Sequence, residues 1–435
     1  MRGVGLVLLF MLTAVCFGAP QKGMPGMAVM ENSVGFLSSG TSIEPLTTSE
    51  SALMHHTTLG NWTLMLHGNA YLANTQQSGP RGKDKLYSVN WLMPMLSRDF
   101  GRHTVSLRTM LSLEPATVTK RRYPELFQSG ETAYGLPVVD GQHPHELFME
   151  IAGRYDFRFS ERARLFVYGG PIGEPALGPA AFPHRASASE NPVSVLGHHQ
   201  QDSTHISLSV LTLGFVRGPI QLEASTFHGG EPNENRWNID TGKPDSFSAR
   251  VTAAMGPRWS GQFSMGRINN REPLHPGLDT IRTTASLHHN LRFSSGHIAS
   301  SMIWGRNKDL HGHDARIFNA YTAESTVNFF DRNWAWTRLE NVDRDRTLLV
   351  GETPDVLDVD EDPIGRVQAY TFGYQRDLSI GLSSLNIGLG VQATTYGLTP
   401  QLKAIYGDRP MGVTMFLHLR PRGNMQEHMQ IMHQR

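Results

Sequence analysis

Over residues 146–159, ELFMEIAGRYDFRF, the side chains change character from each position to the next. Leu147, Met149, Ile151, Gly153, Tyr155, Phe157 and Phe159 share one face, and Phe148, Glu150, Ala152, Arg154, Asp156 and Arg158 share the other. Period 2 is the signature of a β-strand, whose successive side chains point to opposite faces. Strands in soluble proteins typically run ~5–6 residues. This one is more than twice as long, with one apolar and one charged face, which is the length and polarity of a strand that crosses a lipid bilayer.

The pattern recurs along the chain. In 103–113, Val105, Leu107 and Leu111 oppose Ser106, Arg108 and Ser112; in 280–293, Ile281, Leu287 and Leu291 oppose Arg282, His288 and Arg292. The last clear case, 411–420, sets Val413, Met415, Leu417 and Leu419 against Thr414, Phe416, His418 and Arg420. Similar segments fall at 61–74, 86–97, 163–170, 204–216, 219–228, 246–256, 259–268, 297–306, 315–329, 333–343, 365–376 and 385–397. That makes about sixteen strands. Short connections, such as Arg98–Arg102, Ser160–Arg162, Arg217–Pro219 and Gly256–Arg258, alternate with long ones at 75–85, 114–145, 171–203, 229–245, 269–279, 307–314, 344–364 and 398–410. Short periplasmic turns and longer outer loops are the arrangement of a membrane barrel. The expected fold is all-β: a single transmembrane antiparallel β-barrel, closed so that no strand edge is exposed.

The ends of the chain fit export. Arg2, the apolar run 4–17 and the small residues Gly18 and Ala19 form a secretory signal. Cys16 is the sole cysteine and leaves with that signal; Val15 before it argues against lipid attachment. Disulfides and thiolate chemistry are thereby excluded from the exported chain. The expected organisation is a signal peptide over 1–18, a periplasmic segment over 19–60, the barrel over 61–420 and a periplasmic tail over 421–435. Equal counts of 39 basic and 39 acidic residues give no global field for nucleic acid. Trp62, Tyr71, Trp91, Trp259, Trp304, Trp334, Trp336 and Tyr396 fall near strand ends, where aromatic girdles meet the membrane interface.

Three loop stretches, GETAYGLPVVDGQHPHELFMEIA, GEPALGPAAFPHRASASENP and GHHQQDSTHISL, together with EASTFHGGEPNENRWNID and LTPQLKAIYGD, carry a family resemblance. The chain resembles an uncharacterised family of Gram-negative outer-membrane porin-like barrel proteins. The resemblance implies a barrel in the cell outer membrane, in contact with its lipid, and no established activity. A homotrimer is an open assembly for such a barrel. One departure is the tail PRGNMQEHMQIMHQR, which follows the last strand where many such barrels end on an aromatic residue.

The less apolar strand phases suggest the lining of a pore. Arg108, Arg154, Arg158, Arg164, Arg250, Arg282, Arg292, Arg316, Arg338 and Arg366 fall there, interleaved with Glu150, Asp156, Glu223 and Glu324. Opposed charges across a channel tune ion selectivity, so the first reading is a porin-like channel for small polar or ionic solutes. Charges of opposite sign can equally pair and fill the lumen. Loops 114–145 and 171–203 are long enough to fold inward and narrow or plug it.

A second reading is metal handling. Met24, Met27 and Met30, then His55 and His56, precede the first strand; Met425, His428, Met429, Met432 and His433 sit in the tail at helical spacing. Thioether and imidazole ligands suit copper as Cu(I). In the outer loops His143, His145, His198 and His199 could converge on zinc or copper with Asp140, Glu190 or Asp202 nearby. Methionine is also a flexible space-filler, and loop histidines often serve the backbone. The least favoured reading is a lipid hydrolase built on His205 and Ser207 with Asp202 or Glu223 as orienter; the expectation is that the protein is no enzyme.

Overall fold

Strands with one apolar and one polar face have two surfaces to satisfy, and inside lipid every backbone N–H and C=O must be paired as well. A closed sheet meets both demands. A computed structural model describes residues 36–48, 54–269, 277–311, 314–349, 363–380 and 385–423. Sixteen strands close into one antiparallel barrel. In chain order they are Trp62–Gln77, Lys85–Phe100, His103–Leu111, Phe148–Ser160, Ala163–Gly173, Ser207–Arg217, Ile220–His228, Ser246–Ala254, Trp259–Ile268, Asp279–Phe293, Gly296–His311, Asp314–Phe329, Asn333–Arg344, Gly365–Asp377, Leu385–Leu398 and Met411–Pro421. Each pairs with its neighbour, and the ring closes where Gly412–Leu419 run against Gln77–Ala70. A short strand, Met54–Leu59, pairs with the remainder of that first long strand, Trp62–His67, below the closing seam.

The phases fall as the alternation predicts. Leu211, Leu213, Leu222, Phe263, Met265, Met415 and Leu417 stand exposed on the outside, while Thr212, Glu223, Ser264 and His418 between them are buried inside. An apolar outer surface is favoured in lipid by the same transfer energy, ~25 cal/mol per Å², that would penalise it in water. None of the described helices is long and apolar enough to cross a membrane, which says nothing of a β-barrel. The short turns use left-handed backbone, as tight hairpins require: Gly218 has φ 57° and Asp331 φ 58°.

Two boundaries differ from expectation. The loop expected over 307–314 is almost absent: the strands on either side extend until His311 pairs with Asp314. Of the segment expected in the periplasm over 19–60, residues 36–48 lie inside the barrel and Met54–Leu59 belongs to its wall. Residues 36–48 fold as a small hairpin, Phe36–Leu37 against Ile43–Glu44, and bind the inner wall. Gln221 Nε2 donates to Thr41 O at 2.9 Å, Arg108 donates to the carbonyls of Ser38 and Gly40, and Thr47 Oγ1 donates to Asn290 O at 2.6 Å. The physical reason is polarity: a serine- and threonine-rich strip offers hydroxyls and carbonyls to the polar side chains of the inner wall.

The outer loops also turn inward. Residues 174–206 enter the lumen and include the short helix His198–Gln201. A hairpin, Tyr123–Ala133 with Leu136–Gln142, covers the mouth. Its Leu126, Phe127 and Val139 form an apolar cluster with Leu196 of the inserted loop, Val342 and Val367 of the wall, and Leu402 and Tyr406 of the helix Pro400–Tyr406.

Candidate functional site in the barrel lumen

The inner wall and the inserted loop meet through charge. Arg185, at the centre of the loop, places Nε 2.5 Å from Glu324 and Nη1 3.1 Å from Asp202. Arg338, directly opposite Glu324 on the next strand, binds its other oxygen at 3.0 Å and donates to Ser194 O at 2.8 Å. Glu190 of the loop lies 2.5 Å from Arg420, which also holds Asp377 at 2.7 Å. Arg250 pairs with Glu223 at 2.8 Å and reaches Gly178 O of the loop and Thr41 of the amino-terminal hairpin. Charged and polar contacts thus join loop and wall at several points, beside the apolar contacts that Leu177 and Leu196 of the loop make with the wall.

Most of the sequence-predicted lining residues fall on the inner phase. Arg108 pairs with Glu150 at 2.9 Å, and Arg154 with Asp156 at 2.8 Å while stacking on Phe166. Arg158 and Arg164 share this phase nearer the short turns, Arg164 lying 3.7 Å from Asp156. Arg282 donates to Asn307 and to His199 O, and Arg292 to Thr47 O. Arg316 is half-buried on the inner phase. Arg366 is a correction: Val367, Ala369 and Thr371 are the buried phase of its strand, so Arg366 points out at the rim, 53% exposed, and pairs with Asp343 at 2.6 Å.

Electrostatics divides the loop carboxyls in two. Burial would raise Glu190, but Arg420 and His418 override it and hold the carboxyl down at about 2. Asp202 is likewise held below its ordinary value by His198 and Arg185 against the burial that opposes them. By contrast, burial pushes Glu44 up to about 7 and both Glu125 and Glu174 up to about 8.

The loop histidines come together in part. His143 Nε2 lies 2.6 Å from Glu131, whose other oxygen is 3.5 Å from His199 Nε2. Ligand atoms of Glu131, His199 and Glu231 all lie within 4.8 Å of one another. His145 turns instead to Glu114 at 2.9 Å and His198 to Asp202 at 2.7 Å. Asp140 and Glu190 are absent from this group, while Glu131 and Glu231, which sequence reading passed over, complete it. Their only sequence signal was the acidic character of two loops that nothing linear ties together. His55 sits at the base of the barrel, its Nδ1 3.4 Å from Arg422 O, and His56 is buried beside it. Met24, Met27, Met30, Met425, His428, Met429, Met432 and His433 lie outside the described residues.

The hydrolase arrangement does not assemble. His205 ends a helical turn, with Nδ1 3.0 Å from Asp202 O, and Ser207 Oγ donates to Thr204 O at 2.9 Å. The strand starts only at Ser207, so the two side chains do not share a strand face.

No family model matches the chain, and no curated protein does. Among solved structures it is similar to OprB of Pseudomonas putida: TM-score 0.52, 10% identity, over 83% of this chain and 94% of that one. The chain has the closed β-barrel fold of the porins. The barrel is also similar, at TM-scores of 0.49 and 0.47, to an anion-selective porin from Comamonas acidovorans and to Salmonella typhi OmpF in complex with daunomycin. Identities there are 10% and 9%, and each match covers 83% of this chain and 99% of the other.

Proposed function

We propose that this barrel is a channel for small polar or ionic solutes whose inserted loop and amino-terminal hairpin form a movable plug. The observation that carries this reading is the chemistry of the plug surface. Plug and wall meet through ion pairs and hydrogen bonds, such as Arg185–Glu324, Arg338 to the carbonyl of Ser194 and Arg250 to the hydroxyl of Thr41. Groups of that kind can exchange protein partners for water at modest net cost, because a typical intramolecular hydrogen bond is worth only about 1 kcal/mol net. An apolar plug would have no such exchange. Planar-bilayer recording tests the reading: wild-type barrels should show small or intermittent conductance, and Arg185→Ala should enlarge it. Folded, inserted barrels that stay silent in both forms would remove it. Reversal potentials in asymmetric salt then report the preferred ion sign.

A specific observation favours a second role. Glu131, His199 and Glu231 come from the mouth hairpin, the inserted loop and the loop 229–245. Two carboxylates and an imidazole suit a borderline divalent ion such as zinc or Cu(II), and His143 would orient Glu131 from behind, as outer-shell partners do. Zinc titration by calorimetry should lose one equivalent in Glu231→Gln; unchanged stoichiometry would end this reading.

A further inference from the structure

One sector of the inner wall is rich in thioethers. Met54, Met65, Met93, Met95 and Met110 sit on the inner phase of the adjacent strands Met54–Leu59, Trp62–Gln77, Lys85–Phe100 and His103–Leu111. Met149, expected on the outer face, joins them beside a register shift at Met110, where a bulge re-aims the side chain. Elsewhere the inner wall mixes hydroxyls such as Thr212, Ser225, Ser264 and Thr284 with aromatic and aliphatic side chains such as Phe166, Phe227 and Val342. Thioethers are concentrated here, and so are imidazoles. His67 projects from the wall, and His184 reaches the same place from the inserted loop, their rings 5.6 Å apart. The indole of Trp91 lies 4.7 Å from His67 and 4.6 Å from His184.

Two details go beyond packing. His184 Nε2 is 3.3 Å from Met110 Sδ. Imidazole and sulfur bonds to a metal measure roughly 2.0 and 2.3 Å, so one ion bridging that gap would subtend an angle of about 100°, well within ordinary coordination geometry. His67, almost fully buried, has an Nδ1 with no hydrogen-bond partner among the described residues. A buried imidazole nitrogen left unpaired is costly and invites a ligand.

We propose that His67, His184 and Met110, walled by Trp91, bind a soft monovalent cation, Cu(I). Neutral imidazole and thioether donors without a carboxylate select a soft ion over zinc or calcium, and an aromatic face adds attraction for a cation. Burial keeps the His184 imidazole well below its ordinary range, in the neutral form that ligates. The nearest arginine, Arg108, is neutralised by Glu150. Because His184 belongs to the inserted loop, the ion would also tie that loop to the wall. The site does not depend on whether the lumen conducts.

The test uses the full chain folded in detergent, with Cu(I) supplied under reducing conditions against a chromophoric chelator. Methionine and leucine are close in volume, so Met110→Leu keeps the packing and removes only the sulfur. Loss of a direct ligand should weaken binding at that site by more than the roughly 10–100-fold that outer-shell changes cost. His184→Gln should abolish it, and the sulfur contribution in the copper X-ray absorption spectrum should fall in Met110→Leu. Copper held elsewhere, including by the tail, is common to all forms and cancels in the difference. Equal affinity and stoichiometry in wild type and Met110→Leu, or an unchanged sulfur shell, would overturn the proposal. So would an absence of Cu(I) binding.

Discussion

Arg185 and Glu324 face one another at 2.5 Å with 0% and 1% of their side chains exposed, the arginine on an inserted loop and the glutamate on the barrel wall. Glu324 also takes Arg338 and the Ser187 hydroxyl, so one carboxylate joins two wall strands to the loop. Removing one member of a buried pair leaves its partner charged in a poor solvent, at a cost of about 3–5 kcal/mol. Arg185→Ala should therefore loosen the loop while the strand ladder persists. Limited proteolysis should show new cleavage within 174–206 alongside unchanged gel migration of the unboiled barrel.

Deletion of residues 36–48 should widen the lumen from the periplasmic end. Arg250, Gln221 and Arg292 each lose a partner in that segment, while the wall pair Arg250–Glu223 stays intact. Single-channel conductance is the measurement, and a rise over wild type is the expected result.

Alkaline pH should release the plug. Glu44, Glu125 and Glu174 lie on the hairpins and loop, and burial raises each above the ordinary 4.5, to about 7, 8 and 8. A raised carboxyl binds its proton more tightly when docked than when free. The stabilisation is fully present below pH 4.5 and is lost as pH rises through 7 to 8. Open probability should climb as pH rises from 4.5 and level off above about 8, and Glu125→Gln should flatten part of that rise.

Acid should act through the opposite group. Glu190 is held down at about 2 by Arg420 and His418 despite its burial, so its contribution is present above the ordinary 4.5 and is lost as pH falls toward 2. Protease protection of the loop should weaken over that window, and Glu190→Gln should abolish this acid limb.

Leu213 tests the outer face. It stands exposed near the middle of its strand with Thr212 buried beside it. An arginine at the bilayer midplane costs ~2–4 kcal/mol, so Leu213→Arg should lower the denaturant midpoint of refolding into lipid vesicles by a matching amount.

The barrel was legible in the linear chain because a strand's two faces are written at period 2 and a membrane demands opposite polarities on them. The strand at 146–159, the short turn 217–219 and the outward Leu213 and Leu417 all follow from that one rule. Arg366 was misplaced because its strand begins at Gly365, where alternation has too few neighbours to fix the phase. The contents of the lumen were decided by tertiary structure alone. Ion pairs such as Arg420–Glu190 and Arg185–Glu324 join residues 230 and 139 positions apart, and no local pattern encodes which charge meets which across a closed ring. The same holds for His67, His184 and Met110. Only ring closure and inward folding of the loop bring together donors that the chain keeps far apart.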